Sequence, residues 1–182
     1  NIAPNRDMTI VPTLMTKRGV NLTGQFRYLE PGYSGETYAS YMPGDNLRNR
    51  DRWGYSWQHR TSFDTPVGGL GLNMNLNRVS DGDYWRDFRL APVALRQRLL
   101  PSSANLSWAK GDGVLSLNVL RYQVQQDVTT PIAPPYSMMP QLQYRYTPLD
   151  LPHGLDFTLV ADTTRFELIR PIAGQVGNNG QR

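Results

Sequence analysis

Apolar and polar residues alternate along most of this chain with a period of two. In the segment 20–28, Val20, Leu22, Gly24, Phe26 and Tyr28 occupy one side of the pattern, and Asn21, Thr23, Gln25 and Arg27 occupy the other. A β-strand directs successive side chains to opposite faces. The pattern therefore predicts a strand with one apolar and one polar face.

The same alternation returns about every ten residues, and turn signals such as Pro31-Gly32 and Asp112-Gly113 separate the segments. Paired glycine and aspartate residues favour the tight turns of hairpins. We expect about ten strands, at residues 7–15, 20–29, 35–42, 53–63, 69–79, 95–100, 104–109, 114–125, 140–147 and 154–166. Longer polar connections are expected at 43–52, 80–93, 126–138 and 168–182. Residues 91–100 are the one stretch with some helical character, although a short strand ending at Pro101 explains it equally well.

A polar face built from Asn, Gln, Ser, Thr and Arg is typical of a transmembrane β-barrel, whose strands have one side in lipid and the other on a wet lumen. We therefore predict an all-β, antiparallel transmembrane barrel of the outer-membrane type. The residues predicted to face lipid are Leu22, Phe26, Leu72, Met74, Leu142, Tyr144, Phe157 and Leu159. Those predicted to face the lumen are Asn21, Gln25, Arg27, Asn73, Asn75, Gln143 and Arg145.

The composition agrees with this prediction but does not decide it. The mean hydropathy is −0.51, and no apolar run approaches the ~20 residues that a membrane-spanning helix needs. The aromatic residues Trp53, Tyr55 and Trp57 on one side of a strand are typical of a barrel at the membrane–water boundary. They fit two other structures, the core of a soluble β-sandwich and an aromatic platform that binds glycans. The chain opens at Asn1 with no basic-then-apolar leader, so we expect a mature protein, a fragment or both.

The candidate chemistry is sparse. His59 and His153 have no supporting metal-ligand spacing, and no nucleophile elbow or phosphate-cradling loop occurs. Asp81 and Asp83 flank Gly82, which fits a weak calcium site but more commonly a plain turn. Among 19 basic residues only Lys17 and Lys110 are lysine, which fits either a genome that prefers arginine or a surface that meets anionic groups. We expect no enzyme activity, no metal or other cofactor, and no nucleic-acid partner, because the arginines are scattered and no nucleic-acid-binding motif occurs.

Several motifs resemble the family of lipopolysaccharide-assembly outer-membrane proteins, LptD (also called OstA or Imp). They are Asn1-Ile2-Ala3-Pro4-Asn5-Arg6-Asp7, Pro12, Lys17-Arg18-Gly19, Phe26-Arg27-Tyr28-Leu29, Arg52-Trp53, Val79-Ser80-Asp81, Tyr84-Trp85-Arg86-Asp87-Phe88, Pro140-Gln141-Leu142 and Arg165-Phe166. The likeness covers most of the chain and is densest in its first 90 residues. Residues 89–95 depart from the family pattern, and 167–170 are shorter than in it.

The resemblance implies that residues 1–182 are the N-terminal part of a larger outer-membrane barrel, without the periplasmic N-terminal domain and the C-terminal strands. About ten strands are too few to close such a barrel around a plug protein, so we expect an incomplete, open and curved sheet with two free edges. It also implies a lipoprotein plug of the LptE type in the lumen and a periplasmic bridge protein that delivers lipopolysaccharide to the absent domain. Lipopolysaccharide would enter the outer leaflet with its sugars in the lumen and its lipid A at a lateral seam. Pro12 matches a proline that weakens this seam in the family.

Pro12 also carries a prediction of its own, because proline lacks the N–H of a ladder bond and is found near sheet edges. We therefore expect the strand around Pro12 to lie at or beside an edge, although a bulge without a role is the alternative. Two other functions stay open at this point, a porin-like outer-membrane channel and a soluble glycan-binding β-sandwich. A porin differs from the translocon in having neither a weak seam nor an internal lipoprotein.

Overall fold

The computed structural model describes residues 2–127, 129–149, 151–152, 155–168 and 180–181. Nine longer strands and one two-residue strand follow one another along this part of the chain. They are β1 (Arg6–Met15), β2 (Gly19–Glu30), β3 (Tyr33–Asp45), β4 (Arg50–Thr65), β5 (Gly68–Val79), β6 (Leu99–Lys110), β7 (Gly113–Val124), β8 (Ser137–Tyr146), β9 (Leu159–Glu167) and β10 (Gly180–Gln181). The two short helices are α1 (Tyr84–Asp87) and α2 (Val93–Arg96). No helix in the described ranges is long and apolar enough to cross a membrane.

The ten strands form one antiparallel sheet in which spatial order follows sequence order. In the described residues β1 pairs with β2 alone and β10 with β9 alone, so the sheet is open. This confirms the prediction of an all-β, incomplete barrel sheet with two free edges. It also places Pro12, opposite Leu22, on an edge strand.

Three predicted strands are wrong in extent. The segments 95–100 and 104–109 are not separate strands, because β6 runs unbroken through Pro101 and residues 93–96 are helical. Pro101 is tolerated because the β5–β6 ladder has already ended at the pair Asn75–Ser103. The Pro101 carbonyl instead accepts a hydrogen bond from the Asn77 side chain, at 2.8 Å. The predicted strand at 154–166 starts later, at Leu159, so Phe157 lies outside the strands.

The strand register sorts the side chains into two faces. What we call the polar face carries Arg27, Glu36, Gln58 and Asn75 at matching levels of β2 to β5, and it continues through Ser103, Leu120 and Met138. What we call the apolar face carries Phe26, His59, Met74 and Ala104 on the alternate positions. The observed pairing agrees with the alternation in the sequence. A one-residue slip of any strand would move its polar side chains to the apolar face, so the alternation restricts the register.

The two ends of the sheet differ in their connections. At what we call the turn end, the links Pro31–Gly32, Pro66–Val67 and Gly111–Asp112 have two residues each, and the link 147–158 is the longer exception. At the other end, which we call the loop end, residues 80–98 and 125–136 form long connections. The link between β3 and β4 is only 46–49, shorter than the predicted 43–52, because both strands continue further than expected.

A buried apolar cluster lies under the 80–98 loop. Met42 and Val79 of the polar face pack there with Tyr84, Phe88, Ala91, Leu95 and Leu100. The Tyr84 ring stacks on Phe88 with centroids 4.4 Å apart, and its hydroxyl lies 2.6 Å from the Ser40 hydroxyl. A Cβ at position 54 would lie 2.8 Å from the Tyr84 ring, so Gly54 leaves the space into which this ring packs.

Candidate functional site

A broad groove of about 940 Å³ lies against the polar face and makes it the concave side of the sheet. Its wall is rich in amides and hydroxyls, with Gln58, Asn73, Asn75, Ser103, Asn105, Asn118 and Gln141 among its lining residues. Cross-strand hydrogen bonds order these side chains. Asn105 donates to Asn118 at 2.5 Å, and Arg60 donates to Asn73 at 3.1 Å. Such a wall can offer many weak hydrogen bonds to a hydroxylated ligand without holding any part of it tightly.

The predicted lumen-facing residues all lie on the polar face. Gln25 donates to Glu36 at 2.5 Å, and Arg27 pairs with Asp7 at 2.6 Å. Asn75 accepts from Asn77 at 2.9 Å, Gln143 lies opposite Ser116 and Asp162, and Arg145 is exposed. Asn21 is nearly buried, with 6% of its surface exposed, and donates to Thr23 at 3.2 Å. The structure thus gathers these residues on one wall, and their contact with a lumen stays a prediction.

The predicted lipid-facing residues lie on the apolar face wherever they belong to strands. Those that remain clearly exposed in the isolated sheet are Leu22, Leu142, Tyr144, Phe157 and Leu159. Phe157 belongs to the described part of the 147–158 link and not to a strand, so the register assigns it to neither face. Contact of this face with lipid stays a prediction.

Aromatic side chains lie near both ends of the apolar face. Near the loop end, Trp53 and Tyr55 stack with centroids 6.1 Å apart and planes within 8°. Toward the turn end, the Tyr28 hydroxyl lies 2.7 Å from His59 Nδ1 and accepts from Trp57 at 3.2 Å. His59 is therefore part of an aromatic cluster. His153, the other histidine considered above, lies outside the described residues.

A buried charge cluster, which sequence reasoning missed, holds the 80–98 loop on the polar face. Arg52 on β4 has no exposed surface and contacts three carboxylates, Asp45 at 3.1 Å, Asp81 at 2.8 Å and Asp87 at 2.6 Å. We call these four residues, together with Arg18, Arg48, Arg50 and Asp83, the Arg52 cluster. Its arginines and aspartates balance in number, and Arg18 bridges Asp45 and Asp87 at 2.7 and 2.8 Å.

Asp81, considered above for calcium, is thus a partner of arginine. Burial alone would raise the pKa of the Asp81 carboxyl, but hydrogen bonds from Ser80 and Arg52 outweigh it and hold that pKa below its usual value. In the described residues no group of three or more histidine or acidic side chains is arranged to hold a metal ion. The one signal in the sequence was the density of Arg and Asp in 45–52 and 81–87.

The 80–98 loop has a second anchor at the end of β7. The fully buried Gln125 accepts from the Trp85 backbone at 2.9 Å and donates to the carbonyls of Leu95 and Gln97, both at 2.8 Å. Gln123 exchanges two hydrogen bonds with the Val79 backbone, at 3.0 and 2.7 Å. The loop connects β5 to β6. It is fixed to β4 through Arg52 and to the end of β7 through Gln125, which are the strands that flank this pair.

Comparison with known proteins identifies the family of this chain. The family model described as "LptD: LPS transport system D" matches residues 50–176. The chain belongs to the LptD family. The resemblance inferred from its motifs is thereby confirmed.

Individual relatives extend the match to nearly the whole chain. An LPS-assembly protein LptD of Acidovorax sp. (strain JS42) is 54% identical over 182 residues, covering 96% of this chain. The LPS-assembly protein LptD of Paracidovorax citrulli is 52% identical over 179 residues, also covering 96% of the chain. That of Cupriavidus necator is 38% identical over 184 residues and covers all of it. This LptD-family chain spans about a fifth of these relatives, 22%, 22% and 21% of their lengths.

Proposed function

We propose that this chain is the N-terminal part of a larger outer-membrane β-barrel that inserts lipopolysaccharide into the outer leaflet. It acts as a transport component and not as an enzyme. The observation that carries the proposal is the separation of an amide-rich concave wall from an apolar opposite face on one open sheet. Membership of a family described as a transport system for LPS supports the same conclusion.

The two faces suit the two parts of the substrate. Lipopolysaccharide joins a hydroxyl-rich saccharide to an acylated base, so the saccharide favours the polar wall and the acyl chains favour an apolar surface. A saccharide that passes the groove exchanges hydrogen bonds with water for similar ones with Asn75, Asn105 and Asn118. Because the net energy of such an exchange is small, the sugar is not trapped.

The open edges support a barrel with more strands than this chain contains. Unpaired backbone groups are costly in lipid, so β1 must meet another strand in the whole protein. Pro12 removes one ladder donor from this edge strand. We propose that the strand pair formed by β1 is the lateral seam through which lipid A leaves.

The proposed partners follow from the whole barrel. A lipoprotein plug of the LptE type would occupy the space in front of the polar face. A periplasmic bridge protein would deliver lipopolysaccharide through an N-terminal domain that is not part of this chain. In this proposal the turn end faces the periplasm and the loop end faces the cell exterior, because outer-membrane barrels have short periplasmic turns and longer external loops.

In vivo photocrosslinking in the full-length protein tests the route. A photoreactive amino acid is placed at Asn75 on the polar face or at Ile10 on the apolar side of β1, in cells that make lipopolysaccharide. Mild acid hydrolysis then separates saccharide from lipid A in each adduct. We expect the Asn75 adduct to retain saccharide and the Ile10 adduct to retain lipid A.

Placement of the same group at Thr163, an exposed position on the apolar face of β9, is the control for general contact with outer-leaflet lipid. Capture of saccharide from both Asn75 and Thr163 would contradict the lumenal route. Capture of lipid A from Thr163 as strongly as from Ile10 would contradict a seam at β1.

A further inference from the structure

At the loop end of the sheet, an arginine follows the row of apolar side chains on each of two strands, β5 and β7. On β5 the row Leu70, Leu72, Met74 and Leu76 is continued by Arg78. On β7 the row Leu115, Leu117 and Val119 is continued by Arg121. Both arginines are exposed, and neither forms an ion pair within the described part of the chain.

An arginine without an ion pair is not a general feature of the apolar face, as the turn end shows. Arg6 lies on the apolar side of β1 at the turn end, where Glu30 neutralises it at 2.6 Å. An arginine beside a membrane without a carboxylate partner keeps all five of its N–H donors available. Arg78 and Arg121 are therefore available to an external anion in a way that Arg6 is not.

The surroundings of Arg78 place this pair at a boundary between apolar and wet environments. Arg78 is paired across strands with Tyr55, and Tyr55 stacks on Trp53. Both rings are 37% exposed. Tyrosine and tryptophan concentrate where the hydrocarbon of a membrane meets its headgroups. Apolar side chains below and unpaired arginines at this level match a lipid with acyl chains below an anionic headgroup.

The spacing of the two arginines favours a headgroup with two anionic groups. One strand, β6, separates β5 from β7, and the pairs Asn75–Ser103 and Ser103–Leu120 set their relative level. With ~4.8 Å between strands and ~3.4 Å per residue, the two Cα atoms are about 12 Å apart. Each guanidinium can bind a separate phosphate through two parallel hydrogen bonds.

We propose that Arg78 and Arg121 form a binding site on the outer wall for the bisphosphorylated headgroup of lipid A. In this site the acyl chains lie along the apolar rows of β5 and β7. The inference rests on the proposed function, because it takes the apolar face as lipid-facing and the loop end as external. It extends that function by assigning a lipid contact to the wall of the barrel, well away from β1.

Lipid retention by the full-length protein tests the site. The protein is placed in nanodiscs of phosphatidylcholine with a minor fraction of one probe lipid, and the lipids that stay bound after extraction are counted by native mass spectrometry. The three probes are bisphosphorylated lipid A, the same lipid A with both phosphates removed, and phosphatidylglycerol. We expect the unmodified protein to retain bisphosphorylated lipid A about fivefold over its dephosphorylated form, as two exposed ion pairs would give.

The variant Arg78→Gln/Arg121→Gln should lose this preference. The control variant Arg89→Gln/Arg96→Gln removes the same charge from exposed positions of the 80–98 loop and should keep it. A variant with lysine at both positions keeps the charge without the planar fork and should retain part of the preference, which also shows that the fold tolerates change there.

An unchanged preference in Arg78→Gln/Arg121→Gln would overturn the site. An equal loss in the control would reduce the effect to net charge and overturn it as well. Retention of phosphatidylglycerol equal to that of lipid A would overturn the assignment to a bisphosphorylated headgroup. Because retention is measured without transport, a negative result leaves the crosslinking test of the proposed function untouched, and failure of that test leaves retention measurable.

Discussion

Replacement of Arg52 by methionine should release the 80–98 loop from the sheet. Methionine keeps much of the volume of the arginine stem but removes the charge that three aspartates share. It also removes the guanidinium that lies 4.8 Å from the centre of the Phe88 ring. Loss of one partner from a buried ion pair generally costs about 3–5 kcal/mol.

The structure places the cost at the lower end of that range. Asp45 and Asp87 keep Arg18 at 2.7 and 2.8 Å, and Asp81 keeps Arg50 at 3.2 Å. No carboxylate is left without a cation, so we expect about 3 kcal/mol of local stability to be lost. That loss corresponds to an increase on the order of 100-fold in the opening equilibrium of the loop.

Hydrogen exchange of the full-length protein in detergent measures this opening, read from peptides that cover 80–98. The matched control is Arg60→Met on the same strand and face, where the exposed arginine makes one hydrogen bond to Asn73 at 3.1 Å. The control should cost less than about 1 kcal/mol and leave the loop unchanged. Arg52→Lys should fall between the two, because lysine keeps the charge but lacks the fork that binds both oxygens of Asp81. Equal exchange in the Arg52→Met and Arg60→Met variants would refute the role of Arg52 as the loop's main anchor.

Three further predictions concern the two faces of the sheet, the proposed seam at β1 and the stability of the 80–98 loop at acidic pH. Leu72→Arg should cost about 2–4 kcal/mol and lower the amount of assembled barrel if the apolar face meets lipid. The neighbouring Asn73→Arg should assemble normally, and equal yields of heat-modifiable protein would contradict that assignment. Pro12→Val should restore up to about one ladder bond, ~0.5–1.5 kcal/mol, and slow the arrival of labelled lipopolysaccharide at the cell surface at normal protein level; unchanged delivery would remove Pro12 from the mechanism. Because the pKa of Asp81 is lowered on folding, its contribution is complete above the unfolded value and is lost only as pH falls below about 4. Hydrogen exchange of the 80–98 loop, corrected for its intrinsic pH dependence, should therefore stay constant from neutral pH to about pH 5, and loosening in that window would contradict it.

The alternation of residue types was enough to predict most of the strands and their faces. Each strand contributes its own pattern, and antiparallel neighbours joined by two-residue turns have little freedom of register. The faces of Leu72 and Asn73 could therefore be predicted. The edge position of Pro12 was predicted from its missing N–H, and the open sheet from the family resemblance. Family motifs added the identity, which period and composition alone left open among a translocon, a porin and a sandwich.

Only the tertiary structure decided what the long connections do. Arg18, Asp45, Arg52, Asp81 and Asp87 are scattered over 70 positions, and their ion pairs depend on where the loop end of the sheet folds back. No local pattern marks such pairs, because a buried charge is stable only with partners that arrive from distant segments. The same reason explains why Asp81 fitted a turn or a calcium site in sequence, and why β6 could run through Pro101. Period-two patterning sets which face a side chain takes, whereas long-range packing sets which charges meet.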